Sequence, residues 1–101
     1  MAQSKEFRGT ARHIRQDGHK TIYSYHRTDI VTVDPNQAGT SKAITLNSGG
    51  WRTPTTKLAM NQASNQFGLG FQVYQHNHDW YVDAGYPEGV LPFHDGMVIY
   101  T

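Results

Sequence analysis

Apolar and polar positions follow one rhythm over most of the chain and a different one in its middle. Over 21–34, TIYSYHRTDIVTVD, β-branched and aromatic residues dominate, which is the composition of strands. A tight turn near His26-Arg27-Thr28-Asp29 divides this run in two, and Asp34-Pro35-Asn36 closes it. The stretch through Ser41 reads as loop, and Ala43-Ile44-Thr45-Leu46 as a further short strand. The period then changes. Ala59, Met60, Ala63 and Phe67 recur at helical spacing, with Lys57, Asn61 and Ser64 on the opposite, solvent side. Thr53 supplies an N-cap, Pro54 sits where a helix needs no N–H, and Gly68 is a natural stop. The spacing predicts a helix over 54–67.

Beyond the helix, FQVYQ and WYVDA are aromatic-rich arms about a polar tip, His76-Asn77-His78-Asp79, the pattern of a β-hairpin. Gly85-Tyr86-Pro87-Glu88-Gly89 is a turn by composition, and VLPF and MVIY flank a second tight connection at His94-Asp95-Gly96. The order β-β-β-α-β-β-β-β predicts an α+β domain, one helix packed on a mostly antiparallel sheet. Residues 1–18 have no clear period and end in a turn at Gln16-Asp17-Gly18, so they read as a basic mobile arm or a first edge strand. Residues 19–101 form the single domain.

Composition narrows the function classes. A chain of 101 residues with 37% hydrophobic and 12% aromatic residues supports one small core, and completion of that core in a homo-oligomer is expected. The absence of cysteine excludes a disulfide framework, a thiolate zinc site and a cysteine nucleophile. No apolar run approaches the about 18 residues of a membrane span, and the polar, basic N-terminus has no apolar h-region. The net charge of +1 hides a segregation. Lys5, Arg8, Arg12, Arg15 and Lys20 outnumber the acids of the first twenty residues, and no acid occurs between Asp34 and Asp79. From Asp79 onward, Asp79, Asp83, Glu88 and Asp95 meet no lysine or arginine. An anion-facing centre is one reading of this pattern; oppositely charged segments meeting in the fold is the other.

The chemistry concentrates in LNSGGWRTPTTKLAMNQ, 46–62. A helix N-terminus offers unpaired N–H groups and a positive dipole end, and Gly49-Gly50 can form a concave nest of amides. Arg52 can grip a phosphate bidentately and Lys57 can add a point charge. Ser48, Thr53, Thr55, Thr56 and Asn61 add hydroxyl and amide groups, and Trp51 can stack on a base. The competing reading is purely structural: the glycines make the turn, Trp51 is core and the threonines are caps. The stretch is no Walker loop, because Lys57 is not preceded by glycine and no magnesium-holding acid is near. Tyr25, Tyr74 and Trp80, on predicted strands, are further candidates for aromatic stacking.

Catalytic patterns are weaker. His76-x-His78 places two imidazoles on one face of an extended arm, the start of a metal-dependent hydrolase, but this is also ordinary turn composition. Ser48 lacks the Gly-x-Ser-x-Gly elbow of a nucleophile. The expectation is a protein without enzymatic activity, cofactor or metal.

Taken together, YHRTDIV…ITLNSGGWRTPTTKLAMNQ…FQVYQHNHDWYV…PFHDGMVIY resembles a widespread family of small tailed-bacteriophage proteins. The likeness runs from about Thr21 to the end and is densest over Ile44–Gln62. Where such proteins carry a basic residue after Lys57, this chain has Leu58-Ala59, so a strongly basic helix is not expected. The resemblance implies a viral protein acting in the cytoplasm of a bacterial host, and no particular reaction. With the residue-level reading, it suggests a nucleotide-type partner such as an immune signal of the host, held as by a sponge. The alternatives are a DNA- or RNA-binding accessory protein and an inhibitor of a host enzyme.

Overall fold

The computed structural model describes residues 11–35, 42–85 and 89–100. The strands are β1 (Arg12–Asp17), β2 (Lys20–Tyr25), β3 (Thr28–Pro35), β4 (Lys42–Leu46), β5 (Gln72–His76), β6 (Asp79–Asp83), β7 (Val90–Pro92) and β8 (Met97–Tyr100). The helix α1 spans Pro54–Phe67. The chain builds two antiparallel sheets rather than the expected one: β1-β2-β3-β4-β8 and β5-β6-β7. The α+β class holds, with strands dominating. Arg12–Asp17 is the edge strand of the larger sheet; residues 1–10 of the expected arm, the loop up to Ser41 and the centre of the Gly85–Gly89 turn lie outside the described residues.

Register explains the core of the larger sheet. Val31 faces Leu46, which faces Met97; one row along, Val33 faces Ile44, which faces Ile99. All six are buried. The alternation that reads as strand in the sequence therefore stacks into two apolar rows. Burying a Leu, Ile or Met side chain contributes about 1.5–3 kcal/mol each. A bulge between Tyr23 and Ser24 breaks the alternation in β2, and Ile22, Tyr23 and Ser24 are consecutively buried.

The helix begins as its caps dictate. Thr53 is extended (φ −110°, ψ 158°) and its Oγ1 accepts the Thr56 N–H at 3.2 Å. Pro54 opens the helix, and Gly68, in the left-handed region, closes it. Ala59, Met60 and Ala63 are fully buried. Phe67 departs from the expected stripe: it is 41% exposed, its ring 5.2 Å from that of Tyr23.

Ser64 and Asn61, expected in solvent, instead bind backbone. Asn61 Nδ2 donates to the Val73 carbonyl at 2.9 Å, and its Oδ1 accepts the Val73 N–H at 2.7 Å. Ser64 Oγ donates to the Phe71 carbonyl at 2.6 Å and accepts the Phe71 N–H at 3.1 Å. Residues three apart on a helix thus meet residues two apart on an extended segment. Two side chains occupy the hydrogen-bonding edge of β5 where a neighbouring strand would otherwise lie. This is how the helix joins the smaller sheet to the larger one.

Candidate ligand cleft at the strand to helix joint

The joint between β4 and α1 is a tight, internally bonded loop. The Asn47 N–H donates to the Ile30 carbonyl at 3.0 Å, and Asn47 Oδ1 accepts the Gly49 N–H at 2.7 Å. The Ser48 carbonyl accepts the Trp51 N–H at 3.0 Å. Gly49 has φ +64°, and a Cβ there would lie 2.6 Å from Thr28 Oγ1 and 2.9 Å from Thr28 Cγ2. Glycine is therefore required twice over, for backbone conformation and for close packing on the β2–β3 turn. Both glycines stand in the turn, Gly50 with φ +85°, and Trp51, 67% exposed, is not core.

The donors of this loop do meet an anion, and it belongs to the protein. Asp95, from the turn between β7 and β8, accepts from the Ser48 N–H at 2.8 Å and from Ser48 Oγ at 2.7 Å, both on Oδ1. Partial burial pushes the Asp95 carboxyl up. The Ser48 amide and hydroxyl, the Arg52 charge and the Gly50 amide together outweigh this and hold it below the ordinary carboxylate range. Ser48 is 1% exposed, and its Oγ also accepts from the Gly50 N–H at 3.2 Å and from Arg52 Nε at 3.3 Å. The Arg52 guanidinium lies 4.8 Å from the Phe93 ring centroid and 5.6 Å from that of Trp80, and Lys57 Nζ lies 5.7 Å from Trp80. Both cations thus turn toward the smaller sheet, over aromatic rings that attract them.

The other flank of the loop is open. A cleft of about 690 Å³ runs between the β2–β3 turn and the first turn of the helix. The hairpin lines it with Tyr25, His26, Arg27, Thr28 and Ile30, and the joint with Ser48, Trp51, Thr53, Thr55 and Thr56. No carboxylate is among them. Asp29, next to Arg27 and Thr28 in sequence, is held by Arg15 through two bonds of 3.0 and 2.9 Å. Thr53 Oγ1 lies 3.2 Å from Thr55 Oγ1 and 3.0 Å from Thr56 Oγ1, so three hydroxyls cluster at the helix N-terminus. The first turn of the helix contains no acid that would satisfy its dipole.

The cleft gathers Ser48, Trp51, Thr53, Thr55, Thr56 and Tyr25 from the residues singled out in the sequence. Gly49 and Gly50 form the turn beside it. Arg52, Lys57 and Asn61 do not line it: the first two face Trp80, and Asn61 is taken up by Val73. The three stacking candidates are dispersed. Tyr25 has its ring flanked by Arg12 at 5.0 Å and His26 at 4.4 Å. Tyr74 lies on the smaller sheet beside Tyr81, and Trp80 is 4% exposed in the core against Phe93. His76 and His78 do not share an extended face, because Asn77 and His78 form the hairpin turn with φ of 52° and 70°. Arg27, Thr28 and Asp95 were not legible as residues of this region; they read only as turn composition.

Residues 1–100 match the family described as Kyanoviridae Gp96 protein, a tailed-phage family. The chain belongs to that family. No curated protein and no solved structure matches it. The family supports the phage origin that the sequence pattern suggests. Among the described residues, no helix is long and apolar enough to cross a membrane.

Proposed function

We propose that this Gp96-family protein is a non-enzymatic binder of a small anionic ligand, a nucleotide, held in the cleft between the β2–β3 turn and the helix N-terminus. The observation that carries this is Trp51. A large aromatic ring, 67% exposed, lines a cleft of about 690 Å³ beside three clustered hydroxyls and Arg27, with no carboxylate among the described lining residues. That volume lies within the range of small-molecule sites, and the mixture of aromatic surface with a few converging polar groups is their usual chemistry. The base stacks on Trp51, and the phosphate meets Arg27 and the helix N-terminus with its threonines. In a phage protein, such a site suits sequestration of a nucleotide immune signal of the bacterial host, as by a sponge.

Isothermal calorimetry with mononucleotides, ADP-ribose and cyclic di- and trinucleotides tests the reading. Heat is expected for at least one of them, with loss of binding on Trp51→Ala and a weaker loss on Arg27→Gln. No heat from the whole panel at micromolar protein sinks the proposal. Salt-sensitive retention of DNA or RNA with no nucleotide binding favours the nucleic-acid alternative.

A further inference from the structure

The outer face of the smaller sheet plays no part in the cleft, and it has a chemistry of its own. The pairing places Tyr74 opposite Tyr81 and Tyr81 opposite Pro92, with Asp83 opposite Val90 one row away. Alternation turns the buried Val73, Trp80 and Val82 toward the core and these residues away from it. Tyr74 and Tyr81 are half-buried, their rings stacked at 5.9 Å with 28° between planes. Asp79 and Asp83 are exposed and stand two residues to either side of Tyr81 on the same face of β6. Val90, 53% exposed, forms an apolar rim.

We propose that this face docks an extended, arginine-bearing segment of a partner protein. Charge selects the partner. The strands β5, β6 and β7 contain neither lysine nor arginine, and neither Asp79 nor Asp83 has an ion-pair partner among the described residues. Asp83 Oδ1 accepts the Gly85 N–H at 3.0 Å, which leaves its second oxygen for a ligand. A nucleic-acid strand could stack on the tyrosines, but its phosphates would meet two carboxylates and no lysine or arginine of these strands, only the imidazole of His76 opposite Asp79. A guanidinium satisfies both features at once: its plane stacks on a tyrosine while its donors fork onto a carboxylate, which an ammonium does less well. Four residues along a strand span about 13 Å. Two arginines four positions apart on an extended segment therefore reach Asp79 and Asp83 together, with the chain between them lying over the tyrosine pair.

The test uses the full chain and a fluorescein-labelled, extended threonine–valine peptide carrying two arginines four positions apart, read by fluorescence anisotropy. Saturable, salt-sensitive binding is expected, lost when both arginines become citrulline and weakened when both become lysine. Asp79→Asn and Asp83→Asn should each weaken it about two- to fivefold; both changes are isosteric, and Asp83→Asn keeps the acceptor oxygen that Gly85 uses. Tyr81→Leu should weaken it further at an unchanged circular dichroism spectrum, whereas Trp51→Ala should not alter it. The proposal is overturned if the citrulline peptide binds equally well, or if the double asparagine variant binds as the parent does. A homodimer that excludes the peptide and separates on Tyr81→Arg overturns it too, because the occupant is then a second copy of this chain.

Discussion

The two flanks of the joint between β4 and α1 are built from one short stretch, residues 48–56, and treat its residues in opposite ways. On the inner flank the Ser48 and Gly50 amides, the Ser48 hydroxyl and Arg52 Nε all have partners within the protein. Asp95 fills the cradle of Ser48 and Gly50, and Arg52 lies over Phe93. On the outer flank, the largely exposed Trp51 lines a cleft with hydroxyls, Arg27 and, among the described residues, no acid. A nest of amides beside basic residues is thus no guide by itself to a ligand site, because the protein can supply the anion. The informative residue is the one the fold leaves unsatisfied. For Trp51, the sign is a large exposed ring that also lines a cleft with converging polar groups.

The strongest way to break this division is Gly49→Ala. The alanine would have to hold a left-handed φ and place its Cβ 2.6 Å from Thr28 Oγ1. The conformational penalty alone is about 1–3 kcal/mol, and overpacking adds to it. The expected outcome is a loss of about 3 kcal/mol in urea unfolding at an unchanged m value. A loss below about 0.5 kcal/mol, the size of an ordinary surface change, would show that the loop does not lean on the hairpin.

Ser48→Ala comes next. It removes the hydroxyl that Gly50, Arg52 and Asp95 share while the residue stays buried, and a loss of about 1–3 kcal/mol is expected. The same contacts set a pH dependence. The Asp95 carboxyl is held below its ordinary 3.8 in the folded protein. Its stabilisation is therefore fully present above that value, and is lost as pH falls through the lowered folded value. In Asp95→Asn that part of the acid limb should flatten, while stability near neutral pH falls. An unchanged acid limb would mean that the carboxylate is not held as the geometry describes.

These contacts also mark how far the sequence could be read. The helix was legible to its ends because its determinants are local: Thr53, Pro54 and Gly68 act within a turn of where they stand. The strands were legible for the same reason, since alternation is carried by the residues themselves. The division into two sheets was not, because it depends on Asn61 and Ser64 finding the edge of β5, and polar residues on a helix ordinarily mean solvent. Nor was Asp95, forty-seven residues from Ser48, whose neighbours His94 and Gly96 make it look like turn chemistry and nothing more. The candidate site was half legible. Trp51 and the threonines belong to the motif that carries them, whereas Arg27 reaches the cleft only because the β2–β3 turn folds back on the joint.

A smaller effect sharpens the cap. Thr53→Ala removes the acceptor for the Thr56 N–H and should cost about 1 kcal/mol, with Thr53→Ser recovering most of it. Because Thr53 also lines the cleft, a serine that restores stability and nucleotide binding together would place its hydroxyl in both tasks.

The smallest effect on stability should be the most telling about function. Trp51→Ala removes a side chain that is 67% exposed, so unfolding should shift by no more than about 0.5 kcal/mol. Under the cleft reading it nonetheless abolishes the calorimetric signal with nucleotide. Arg52→Ala should show the opposite pattern. It loses the hydrogen bond to Ser48, the charge beside Asp95 and the contacts with Phe93 and Trp80, so stability falls while nucleotide binding is kept. The pair forms a crossed comparison in which sequence and structure disagree, since the motif alone makes Arg52 the phosphate grip. If Arg52→Ala removes binding and Trp51→Ala does not, the ligand sits on the inner flank, and Asp95 must give up its place for the ligand to enter.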